Sequence, residues 1–203
     1  MVGGALVHAI NQLKHVMAQV GARTAVDLRK AHKPVRYIGR KKAVDIFPPG
    51  EETVQNPSFD SQVHAIQLAE VAVNTENGEV KILKMTTACD AGVLINPHNV
   101  EGQLHGGMDM GVGYALREQY IAGQTKDWVT FKFPSMKTAF DMETILLQTP
   151  RNRGPNGAVG VGEMTMVPTA PAVINAIYNA CGVWVTDLPA VPEKVKAALA
   201  ADG

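Results

Sequence analysis

Two glycine-rich segments hold the side chains that could do chemistry. In GPNGAVGVGEM, residues 154–164, one carboxylate, Glu163, ends the run. Glycines let a backbone lie close to a ligand and aim a single side chain at it. In apolar surroundings, burial would raise such a carboxyl toward the range useful for proton abstraction near neutral pH. Taken alone, GVGE is a weak motif, and a solvent-facing Glu in a flexible turn is the better reading of it. In DAGVLINPHNVEGQLHGGMDMGVGYAL, residues 90–116, an Asn-Pro turn feeds a helix carrying Gly102, Gly106, Gly107, Gly111 and Gly113. Gln103 near its start has an amide that both donates and accepts, beside backbone N–H groups that favour anions. Tight helix packing with an exposed Gln fits the same spacing.

The elements that must position these segments follow from periodicity. Leu6, Ile10, Leu13 and Met17 recur at helical spacing from the first residues, which predicts a helix and a chain that begins within a fold. Residues 21–60, broken by Pro34, Pro48, Pro49 and Pro57, read as a long surface connector. Two period-two runs around Asn77-Gly78 predict a hairpin over 63–90. A buried helix is expected over 99–119. WVTFKF and METILLQT read as short strands flanking Pro134, and 151–162 as a shaped loop. A helix should open near Thr169 and stop at Gly182, followed by a strand at VWVTDL and a last helix opened by Pro192. The fold class is α+β, mixed sheets with packed helices, without repeats or an internal domain boundary.

Composition narrows the function. The chain has 203 residues, 46% apolar, with 19 basic and 19 acidic side chains, so no charge excess points to nucleic acid or a membrane surface. No run reaches the roughly 20 apolar residues that span a bilayer, and Met1-Val2-Gly3-Gly4 lacks a basic signal start. A cytoplasmic protein with a small neutral ligand or a protein partner is expected. Cys89 and Cys181 stand far apart, so this chain alone builds neither an iron–sulfur cluster nor a structural zinc site. The six histidines are scattered without metal-ligand spacing. No phosphate loop occurs, and GAVGVGE lacks the strand and helix setting of dinucleotide binding.

Taken in order, DAGVLINP, GQLHGGMDMGVG, GPNGAVGVGE, TAPAVINAIYNACG and LPAVPEKV resemble the large subunits of the xanthine oxidase family of molybdenum hydroxylases, most closely the bacterial aldehyde oxidoreductases. The likeness runs over nearly the whole chain and is weakest between Ala22 and Phe59. It implies that residues 1–203 are an incomplete, C-terminal portion of a molybdenum-cofactor-binding domain. It implies that Glu163 is the catalytic base, with Gln103 and Gly162 at the cofactor. The reaction implied is oxidation of an aldehyde, with a water-derived oxygen inserted and a hydride passed to molybdenum. A purine or other N-heterocycle is the alternative substrate, and a non-catalytic remnant or assembly partner the alternative of another class. The cofactor implied is molybdopterin, either plain or as its cytosine dinucleotide. Iron–sulfur clusters are expected on other segments or subunits, together with the upstream part of the large subunit as partner.

Overall fold

The apolar periodicity at the start of the chain does produce a helix, α1, Val2–Val20. This is a computed structural model describing residues 2–41, 62–151 and 154–201. Contacts divide the chain into one unit of residues 1–62 with 150–159 and a second of 63–149 with 160–203. In the first, α1 has no fully buried residue, and Val2, Leu6 and Ile10 on its apolar face are exposed. A short helix, α2, Ala25–Lys30, interrupts the stretch read as a connector. Its start is a reciprocal cap: the Asp27 amide donates to Thr24 Oγ1 at 3.2 Å and the Thr24 amide to Asp27 Oδ2 at 2.9 Å. Hydrogen bonds from Arg23 and Thr24 hold the Asp27 carboxyl below its ordinary value. Residues 42–61 of the connector lie outside the described residues.

The second unit is built on a mixed sheet of order β1-β2-β3. Its strands are β1, His64–Val73; β2, Val80–Asp90; and β3, Asp141–Leu147. β1 and β2 are the expected antiparallel hairpin, His64 opposite Asp90 and Val73 opposite Val80. Glu70 pairs with Lys84 and Val71 with Ile82, so Leu83 bulges out of the ladder. The loop is longer than a two-residue turn, and Asn74 Oδ1 organises it by accepting from the amides of Glu76 and Asn77. β3 runs parallel to β2, Lys84 opposite Asp141, after a crossover that contains α3, Pro97–Leu116.

Two expected strands are absent. WVTFKF instead opens with a single helical turn, α4, Trp128–Phe131. The Thr130 amide donates to Asp127 Oδ1 at 2.8 Å, and the Asp127 amide donates back to Thr130 Oγ1 at 3.0 Å. That capping box, which the run of β-formers conceals, outweighs the local β propensity. VWVTDL keeps the predicted alternation, with Val183 and Val185 buried, but stays irregular. An alternating run becomes a strand only when a neighbour accepts its backbone bonds.

The helix α5, Thr169–Cys181, ends at Gly182 with φ 81°, and α6 spans Pro192–Ala201. Met85 of β2, Met108 and Val112 of α3, Val173 and Ile177 of α5, and Val195 of α6 form the core, all nearly excluded from solvent. On the other sheet face, Ile66, Ala88 and Ile145 lie in one cross-strand row, and Ile66 is 76% exposed. No helix among the described residues is long and apolar enough to cross a membrane.

Candidate functional site

Glu163 sits where irregular backbone was expected, with one refinement: it opens a 3-10 turn, Glu163–Thr165, a few residues before α5. The turn is tied on both sides of the carboxylate. Thr165 Oγ1 donates to the Gly162 carbonyl at 2.8 Å and the Thr165 amide donates to the same oxygen at 3.3 Å. The Met166 amide donates to the Glu163 carbonyl at 3.2 Å. Gly162 and the Glu163 side chain are exposed, while Thr165 is buried. A side chain added at Gly160 or Gly162 would project into open space.

The anchor of this turn comes from β1, a contribution the sequence reading missed. Gln67 Nε2 donates to the Thr165 carbonyl at 2.8 Å, and Gln67 Oε1 accepts from Thr169 Oγ1 at 2.7 Å. A carbonyl can only accept, so the network fixes which end of the amide faces Thr165. The available signal was Gln67 itself, the lone polar residue on the inward-facing side of β1, among Ala65, Ala69, Val71 and Val73.

α3 carries Gln103. The turn entering it is pinned by Asp90, whose Oδ1 accepts from the Gly92 amide at 3.2 Å and from the Thr149 amide at 3.0 Å. Asn96 caps the helix, its Oδ1 accepting from the Asn99 amide at 3.1 Å, and Pro97 supplies no N–H. Gln103 therefore lies on the second turn, beyond the free N–H groups of the helix start, and it offers its side-chain amide alone. The hollow beside it, about 420 Å³, is lined by His98, Asn99, Glu101, Gly102, Gln103 and His105, all from α3 and without Glu163.

The helix glycines divide into two sets. A Cβ at Gly107 would overlap Thr165, and one at Gly111 would overlap Thr169, so these two admit the Glu163 turn and the first residue of α5. Gly102 and Gly106 face open space. Gln103 precedes Gly107 by four residues, about 6 Å of helix axis. The Thr165–Gly107 contact thus brings the helix of Gln103 to the turn of Glu163, with exposed groups and open glycines at both.

No group of histidines, cysteines and carboxylates among the described residues could hold a metal ion. Cys89 is fully buried, and burial with the charge of Asp90 pushes its thiol up, which suits a packing role.

Comparison with known proteins bears on the family of the chain. The molybdopterin cofactor-binding domain family matches residues 1–139, which include Gln103 and end before Glu163. An aldehyde oxidoreductase of Megalodesulfovibrio gigas is 34% identical over 183 residues, covering 89% of this chain and 20% of that protein. The nicotine 6-hydroxylase large subunit of Paenarthrobacter nicotinovorans is 34% identical over 162 residues, 73% of this chain and 20% of that one. The crystal structure of the aldehyde oxidoreductase from Desulfovibrio desulfuricans ATCC 27774 superposes with a TM-score of 0.85 at 33% identity, over 97% of this chain and 22% of that one. The chain thus spans about a fifth of the length of these relatives. On the family match over residues 1–139 and the likeness to aldehyde oxidoreductases over most of its length, the chain belongs to the molybdopterin cofactor-binding domain family, within the xanthine oxidase-type molybdenum hydroxylases.

Proposed function

We propose that this chain supplies the catalytic base, Glu163, and a cofactor-holding amide, Gln103, to a molybdenum hydroxylase that oxidises aldehydes. The observation that carries the reading is the seating of the Glu163 turn on the Gln103 helix through Thr165 and Gly107. The residues suit a molybdopterin: Gln103 is exposed, Gly102 and Gly106 leave space around it, and its amide can donate to and accept from a heterocycle edge. Gly162 offers a close backbone approach beside the carboxylate. When bound, the cofactor supplies the two-electron oxidation of the substrate. Glu163 accepts, at a carboxylate oxygen, the proton of the water-derived oxygen that attacks the substrate carbon. Because Glu163 is exposed here, the water-excluding walls come from the remaining part of the subunit, and iron–sulfur clusters on other segments carry the electrons away.

Aldehydes are favoured as substrate because aldehyde oxidoreductases match this chain over 89% and 97% of its length. The equal identity to a nicotine 6-hydroxylase large subunit supports an N-heterocycle as the second reading. The test uses the complete enzyme with Glu163→Gln, assayed against an aldehyde and an N-heterocycle. The amide keeps the side chain's size but cannot take the proton, so turnover should fall about 10² to 10⁴-fold with molybdenum content unchanged. Near-normal turnover by a fully loaded variant eliminates Glu163 as the base. A complete wild-type enzyme inert toward both substrates favours a non-catalytic remnant.

A further inference from the structure

We propose that Gln67 is a positioning residue that sets the direction of the Glu163 carboxylate, an inference that rests on Glu163 being the base. The argument begins with what Gln67 costs. An amide placed on the apolar inward side of β1 must satisfy both its ends or lose stability. Both are satisfied, and both by the segment that follows Glu163: the Thr165 carbonyl takes the N–H at 2.8 Å and the Thr169 hydroxyl gives to the oxygen at 2.7 Å. These partners lie 98 and 102 residues along the chain from Gln67, so the bonds join β1 to the Glu163 turn and to α5.

The turn has little other freedom. Thr165 Oγ1 ties back to the Gly162 carbonyl, so the residues on both sides of Glu163 hang from Thr165, and Thr165 hangs from Gln67. On its far side Thr165 fills the space that Gly107 leaves in α3. The carboxylate is therefore carried on a three-residue turn held between a strand and a helix, while its side chain stays exposed. Proton transfer demands hydrogen-bond reach, and a misplacement of about 1 Å can cost about 10²-fold in rate. Of the two amide side chains only glutamine has this reach, and it both donates and accepts at any pH while staying uncharged. Glutamate keeps the acceptor for Thr169 but, ionised, faces the Thr165 carbonyl without a proton. Methionine keeps the bulk and neither bond.

The experiment compares Gln67→Met and Gln67→Glu with wild type in the complete enzyme, reading molybdenum content, kcat per bound molybdenum, KM, and hydrogen–deuterium exchange of the peptide covering 160–168. The expected result is unchanged molybdenum content and KM, a 10- to 100-fold lower kcat, and faster exchange confined to 160–168. Should Gln67→Met fail to fold, Gln67→Glu gives the second reading, since it keeps the acceptor for Thr169 while removing the donor and setting a carboxylate against the Thr165 carbonyl. Wild-type kcat per molybdenum overturns the proposal. So does exchange that accelerates equally over β2 and α5, because that marks general destabilisation. Retained turnover in Glu163→Gln removes the premise, and it is told apart because the exchange of 160–168 reads the clamp independently of activity.

Discussion

Thr165 occupies the space that a side chain on Gly107 would need, and this contact seats the turn of Glu163 on the helix of Gln103. It yields a prediction with opposite signs at adjacent residues. An alanine in a helix interior is favoured over glycine by about 0.5–1 kcal/mol. At Gly107 that gain is opposed by overlap with Thr165, and overpacking of this kind costs about 1–3 kcal/mol. Gly107→Ala should therefore lower the melting temperature, whereas Gly106→Ala, facing open space, should raise it. Equal shifts of one sign in thermal melts would refute the division of the helix glycines.

Thr87, directly opposite Gln67 in the hairpin, is fully buried, and its hydroxyl has no hydrogen-bond partner among the described residues. A buried hydroxyl without a partner costs about 1–3 kcal/mol of desolvation, while an apolar group of the same shape does not. Thr87→Val should hold or raise stability by about 1 kcal/mol. A clear loss on chemical denaturation would mean that the hydroxyl is bonded in solution.

Asp109 on α3 carries a carboxyl that burial raises above its ordinary value, with Arg117 pulling it partly back; burial and the charge of Asp109 raise Glu118 as well. The folded state then binds the Asp109 proton more tightly than the unfolded chain. Ionisation costs stability in full above the raised value, and the cost disappears below the ordinary value of about 3.9. Asp109→Asn should raise the melting temperature near pH 7, and the gain should shrink as pH falls through that window. A gain of the same size near pH 3 and pH 7 would assign the effect to something other than charge.

What was legible in the sequence was what neighbours along the chain decide. The hairpin follows from alternation on both sides of Asn77-Gly78, and α5 from its start near Thr169 and its stop at Gly182. WVTFKF was misread because a local bond between Asp127 and Thr130 outweighs the β-formers between and beyond them. VWVTDL alternates as a strand should, yet a strand depends on a partner elsewhere in the chain. Glu163 and Gln103 stand out as candidates through the resemblance, not through their spacing. The Gln67 clamp was not, because its partners lie about a hundred residues away and are ordinary threonines. The open and filled glycines of α3 look alike in sequence, and only the packing of Thr165 and Thr169 separates them.

Gln103 differs from Glu163 in what its removal should do. Its amide stands exposed on the second turn of α3, beyond the capped helix start, so any ligand it holds is held by that side chain and not by free backbone N–H groups. Gln103→Ala leaves the folded chain nearly untouched, since an exposed helix position gains slightly from alanine. A cofactor that loses one amide donor and one acceptor loses about 0.5–1.5 kcal/mol for each bond, or roughly 2- to 10-fold in affinity per bond. The complete enzyme with Gln103→Ala should therefore lose molybdenum faster on dialysis, while turnover per remaining molybdenum stays within a few-fold of wild type. Molybdenum assay before and after dialysis, with single-turnover reduction of the retained fraction, separates the two effects. Wild-type retention combined with a collapse of the chemical step would make Gln103 a participant in the reaction and not a holder of the cofactor.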